Sequence, residues 1–138
     1  MAKDRLLLVT MGDPAGIGPE VTVKALAAWP AEERPNVLVV GDPACLASEA
    51  KAADLPFPAE TVSDPSTFGR GRGRIGVLPI SPVPREFWAS GRVGARAGRA
   101  AFEAIVRATS VLLAGQADGL VTAPVSKEAI VLSGTHFL

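Results

Sequence analysis

Asp13, Gly16 and Gly18 fall within the stretch "TMGDPAGIGPE" (residues 10–20), directly after the apolar run Leu6-Leu7-Leu8-Val9. Their types could serve chemistry. Glycines let a backbone approach a bound group, the start of a helix favours an anion, and a carboxylate can accept a ligand hydroxyl. The bland reading is a tight strand-to-helix turn that needs positive φ at Gly16 and Gly18, with Asp13 capping it. A second group lies in "ADGLVTAPVSKEAI" (residues 117–130). Lys127 follows a strand-to-helix turn, the usual pocket rim of an open α/β sheet, where its ammonium could hold a phosphate or carboxylate. It could equally be a solvated first-turn lysine. Thr122 could offer its hydroxyl to the same pocket or simply fill a strand position. Asp13, Gly16 and Gly18 would form the wall that faces them.

Several chemistries fail on spacing. A dinucleotide fingerprint needs a third glycine where Val21 stands, and a phosphate-binding P-loop needs Lys where Pro19 follows Gly18. One histidine, His136, cannot build a multi-histidine metal site. Cys45 is the sole cysteine, so no intrachain disulfide forms, and nothing near it in sequence lowers its pKa. The chain has 138 residues and formal net charge zero, which gives no electrostatic case for nucleic acid or an anionic membrane as partner. The run "GRGRGR" (residues 69–74) has only Phe68 as a neighbouring aromatic and is expected to be a solvated loop. No apolar run approaches the roughly 20 residues of a membrane span. The start lacks a signal-peptide pattern, and a cytoplasmic protein is expected.

The elements that would position these residues alternate. Residues 5–10 read as a strand buried on both faces, and 36–40 ("NVLVV") as a second. From Pro19 a helix is predicted, with Val21, Ala25, Leu26 and Ala28 on its inner face. A short helix is predicted over 44–53. Residues 55–84 are rich in Pro, Gly and Ser, with one strand signal at 75–78. The strongest helix spans 94–113, where Ala97, Ala100, Ala101, Ala104, Ile105, Ala108, Val111 and Leu112 recur at helical steps. Residues 119–123 form another strand, and Ser126 caps a last helix that Gly134 stops. This alternation predicts one α/β segment with a mainly parallel sheet.

"TMGDPAGIGPE", "GRVGARAGRAAFEAI" (residues 91–105) and "ADGLVTAPVSKEAI" together resemble the 4-hydroxythreonine-4-phosphate dehydrogenase family of pyridoxine biosynthesis. The opening stretch is also similar to the "GDGIGPE" of isocitrate and isopropylmalate dehydrogenases, which are not Rossmann proteins. The resemblance implies a homodimeric, two-domain enzyme of three α/β/α layers that uses NAD or NADP and a divalent metal (zinc, magnesium or cobalt). Members oxidise the 3-hydroxyl of 4-phosphooxy-L-threonine, and the β-keto acid formed loses carbon dioxide to give 3-amino-2-oxopropyl phosphate. Paralogues that act on 4-phosphothreonates or dihydrodiol carboxylates share the same opening motifs. A non-catalytic anion-binding α/β module is the alternative from another class.

The family continues after "SG" into a Gly-His-Thr-Glu motif and three metal-binding histidines further on. His136 falls a few residues before that motif's histidine and does not inherit its role. Residues 1–138 are therefore expected to be a single N-terminal segment of a larger enzyme, with the metal ligands beyond Leu138 and no catalytic residue identified within the segment.

Overall fold

A computed structural model describes residues 4–68 and 71–136. Five strands, β1 (Leu6–Thr10), β2 (Asn36–Gly41), β3 (Ala59–Thr61), β4 (Ile75–Pro79) and β5 (Gly119–Thr122), form one sheet in the order β3-β4-β2-β1-β5. Every pairing is parallel; Leu8, for example, lies beside Leu38 on one side and Leu120 on the other. β2 is buried along its whole length, as its apolar run from Val37 to Val40 requires of a central strand covered on both faces.

The helices are α1 (Gly18–Ala28), α2 (Pro43–Ala52), the single turn α3 (Arg85–Trp88), α4 (Ala95–Leu113) and α5 (Lys127–Leu132). From β1 the chain steps through α1 to β2 on one side, and through α4 it returns to β5 on the other. Right-handed crossovers therefore put α1 and α2 on one face and α4 on the opposite face. Packing agrees: α1 lies against α2, while α4 lies against β1, β2, β5 and α5. The core joins both layers, with Val23, Leu26 and Leu46 from one and Ala100, Ala104, Ala108 and Val111 from the other.

Three expectations need correction. The inner face of α1 carries Gly18, Pro19, Thr22, Val23 and Leu26, whereas Val21, Ala25 and Ala28 are exposed. Thr22 can be buried because its hydroxyl donates to Gly18 O at 2.8 Å, so it brings no unpaired polar group inside. The proline-rich region contains a second strand, β3, which pairs with β4 at the sheet edge. The arginine-glycine run is not wholly solvated. Gly69 and Arg70 lie outside the described residues, but the buried Asn36 side chain donates to Gly71 O (2.8 Å) and accepts from Arg74 N–H (3.0 Å). Arg74 also pairs with Glu60 at 2.6 Å.

Candidate functional site

β1 and β5 are neighbours whose following helices leave to opposite faces of the sheet. Such a switch point opens a crevice at the carboxyl ends of the strands, the usual ligand position in an open α/β sheet. The two loops that leave these strands are tied together. Ala123 N–H donates to Thr10 O at 3.3 Å and Asp13 N–H to Pro124 O at 3.1 Å.

Close approach of the loops depends on glycine at two places. Gly12 has φ +80°, and a Cβ there would lie under 3.0 Å from Pro124 O. Gly18 has no positive φ, but its Cβ would fall under 3.0 Å from Met11 O and 3.1 Å from Gly12 Cα. The expectation of positive φ at Gly16 and Gly18 is thus corrected: the left-handed residue is Gly12. Gly16 needs neither freedom nor space, since its nearest contact from a Cβ would be an ordinary 3.5 Å.

A cavity of about 210 Å³ lies between the loops. Asp13, Gly16 and Ile17 line it from the β1 side, and Pro124, Val125 and Ser126 from the β5 side. Gly91, Arg92 and Val93, from the loop before α4, form a third wall. The structure thus brings Asp13 and Gly16 to the cavity, while Gly18 is buried against the Met11 and Gly12 backbone and is not among the lining residues. Thr122 and Lys127 are exposed and are not among the lining residues.

Asp13 is 4% exposed. Its Oδ1 accepts from Ala15 N–H at 2.8 Å, and its carbonyl accepts from Gly16 N–H at 3.0 Å. Burial pushes its carboxyl pKa up, partly offset by the Ala15 and Gly16 N–H groups. It both organises the turn and lines the cavity. Beneath it, Cys45 is fully buried, and burial with the negative charges of Asp42, Glu49 and Asp13 pushes its thiol up to about 12. A thiol held protonated in this way is an inert packing group.

Sequence reasoning missed Gly12, Arg92 and Ser126 as site residues. Gly12 stood inside the opening motif, and Arg92 is the second residue of the "GRVGARAG" stretch. Ser126 was legible only as a cap, which it is: its Oγ accepts from Ala129 N–H at 3.1 Å. The last glycine of the same stretch, Gly98, has a packing reason. A Cβ there would meet Ala129 O at under 3.0 Å, so glycine lets α4 and α5 touch and holds the β5 loop in place.

Among the described residues, no three His, Cys, Asp or Glu side chains stand together as a metal site. His136 is exposed. The described residues therefore do not make a centre for the divalent metal that the resemblance implies. The cavity is also too small to enclose a dinucleotide, and offers at most one wall of such a site.

Comparison with known proteins agrees with the fold and its motifs. Residues 33–138 match the family described as pyridoxal phosphate biosynthetic protein PdxA. A 4-hydroxythreonine-4-phosphate dehydrogenase of Beijerinckia indica is 37% identical, over 97% of this chain and 39% of its own length. A D-threonate 4-phosphate dehydrogenase of Salmonella typhimurium is 33% identical, over 96% of this chain and 41% of its own. The crystal structure of 4-hydroxythreonine-4-phosphate dehydrogenase from Klebsiella pneumoniae superposes with a TM-score of 0.81 at 34% identity, covering 96% of this chain and 41% of that one. The chain thus spans about two-fifths of the length of these relatives. With its parallel sheet, its β1–β5 crevice and these matches, the chain belongs to the PdxA family of dehydrogenases.

Proposed function

We propose that this chain supplies one wall of the active-site cleft of an NAD- or NADP-dependent dehydrogenase acting on 4-phosphooxy-L-threonine. The 3-hydroxyl is oxidised to a ketone. The resulting 2-amino-3-oxo-4-phosphooxybutanoate loses carbon dioxide to give 3-amino-2-oxopropyl phosphate. When bound, the nicotinamide accepts the hydride. In this reading residues 1–138 are the first segment of a two-domain, homodimeric enzyme, and its divalent metal is held by residues outside this chain.

The observation that carries the reading is the cavity where the loops after β1 and β5 meet. It combines a buried carboxyl, a guanidinium and a hydroxyl with apolar walls. These groups suit a small ligand that carries both hydroxyls and anions. Asp13 is placed to accept from a ligand hydroxyl, and the clamp between Asp13 N–H and Pro124 O keeps the two walls in register. Thr122 and Lys127 are exposed and lie outside the cavity lining, Lys127 following directly on Ser126 at its edge.

A second substrate of the same class is the alternative reading, since a relative of similar identity is named for D-threonate 4-phosphate. Both compounds are four-carbon acids with a phosphorylated terminal carbon and a neighbouring hydroxyl. The test is a steady-state assay of the complete protein with each substrate, NAD or NADP, and a divalent metal, following reduced nicotinamide. Preferred turnover of 4-phosphooxy-L-threonine, abolished by a chelator, is the expected result. Preference for D-threonate 4-phosphate would replace the substrate assignment, and no turnover of either would overturn the reading.

A further inference from the structure

We propose that Arg92 holds a phosphate-type oxyanion at the mouth of the β1–β5 cavity, which makes it the residue that selects a phosphorylated ligand there. The proposal rests on the reading of this cavity as an active-site wall and adds to it a residue and a ligand group. Arg92 lines the cavity from a loop fixed by local contacts. Gly91 turns the chain at φ +64°, and Arg92 N–H donates to Ser90 Oγ at 3.3 Å.

Four other arginines of the fold are engaged. Arg34 donates to the carbonyls of Leu26, Trp29 and Gly73, Arg74 pairs with Glu60, and Arg85 and Arg96 lie over the rings of Trp88 and Phe87. The Arg92 guanidinium makes no ion pair, side-chain hydrogen bond or ring contact among the described residues. The one carboxylate lining the cavity does not neutralise it. Asp13 is almost fully buried, and its Oδ1 is occupied by Ala15 N–H.

Across the cavity, Ser126 Oγ accepts from Ala129 N–H, so its hydroxyl proton is available to a second oxygen of the same anion. A guanidinium fork with a hydroxyl opposite matches the several acceptor oxygens of a phosphate. The chemistry fits two sources equally: the phosphate monoester of the substrate or the diphosphate of the dinucleotide.

The experiment uses the complete protein, its Arg92→Ala and Arg92→Lys variants, and inorganic phosphate and pyrophosphate as calorimetric probes. Because Arg92 is exposed and supports no other side chain, both variants should keep the parent's melting temperature. Arg92→Ala is expected to weaken binding of one probe by about tenfold or more, with partial recovery in Arg92→Lys, which keeps the charge and loses the fork. Kinetics then identify the source. A raised KM for the phosphorylated substrate alone assigns the monoester, and a raised KM for the nucleotide alone assigns the diphosphate. Unchanged probe binding with both KM values unchanged would overturn the role of Arg92. So would a parent that binds neither probe. If the parent binds a probe through Arg92 yet turns over no substrate, the Arg92 site stands and the dehydrogenase reading falls.

Discussion

Replacing Gly12 by alanine should be among the costliest small changes in the β1–α1 loop. Two effects act at that position. The backbone sits at φ +80°, where an L-residue costs about 1–2 kcal/mol. The new Cβ would also overlap Pro124 O, and forcing such a contact costs about 1–3 kcal/mol through displaced backbone. Together these give about 2–5 kcal/mol, a large part of the roughly 5–15 kcal/mol by which domains are stable. The displacement also pulls on the Asp13 N–H bond to Pro124 O, so it should open the cavity. Gly16→Ala is the internal control. Its Cβ meets nothing closer than 3.5 Å and its φ is not positive, so the change should stay within about 0.5 kcal/mol of the parent. Urea unfolding, followed by far-ultraviolet circular dichroism and tryptophan fluorescence, compares the two. A Gly12→Ala variant within about 1 kcal/mol of the parent would refute the reasoning. A Gly16→Ala variant as damaged as Gly12→Ala would refute it too.

Further outcomes follow from the same structure. Gly98→Ala should destabilise by about 1–3 kcal/mol or more, because its Cβ has no room against Ala129 O; melting temperature measures this. Gly18→Val should lower stability, turnover or both, since Met11 O and Gly12 Cα already occupy the space. Asp42→Ala should cost about 1 kcal/mol or more as a lost helix cap, since Asp42 accepts from Ala44, Cys45 and Val83 N–H; denaturant midpoints measure it. Asp13 has a raised folded pKa, so the folded state binds its proton more tightly than the unfolded chain does. Its contribution is therefore fully present below the ordinary carboxylate pKa and is lost as pH rises through the folded value. Asp13→Asn keeps the acceptor for Ala15 N–H and removes this loss, so its stability relative to the parent should improve from acid to neutral pH.

Much of this architecture is legible in the sequence, for reasons that particular residues show. β1 and β2 are continuous apolar runs because central parallel strands are covered on both faces. α4 declares itself through its alanine repeat, whose small side chains let it lie close to the sheet. The inner face of α1 was misread because hydrophobicity alone ranks Val21 and Ala25 above Thr22, whereas Thr22 hides its hydroxyl in a bond to Gly18 O. β3 was missed because Glu60 and Thr61 are exposed on an edge strand, which leaves no apolar pattern to find. At the site, Asp13 and Gly16 of the opening motif line the cavity, whereas Thr122 and Lys127 lie outside its lining. Which glycine takes positive φ, and that Arg92 lines the same cavity as loops distant in sequence, depend on tertiary packing. Local spacing does not encode either.

The central claim is that the β1–β5 crevice is the ligand site, and filling it tests that claim most directly. Gly16 lines the cavity, is exposed, and has room for a side chain. Gly16→Phe in the complete protein should therefore occupy the cavity while leaving the fold intact. The decisive measurement is kcat/KM for 4-phosphooxy-L-threonine and for the nicotinamide cofactor, taken alongside the melting temperature. A fall of about tenfold or more in kcat/KM at an unchanged melting temperature is the predicted result. Kinetics equal to the parent's, with the phenylalanine in place and the protein folded, would contradict the assignment of the crevice.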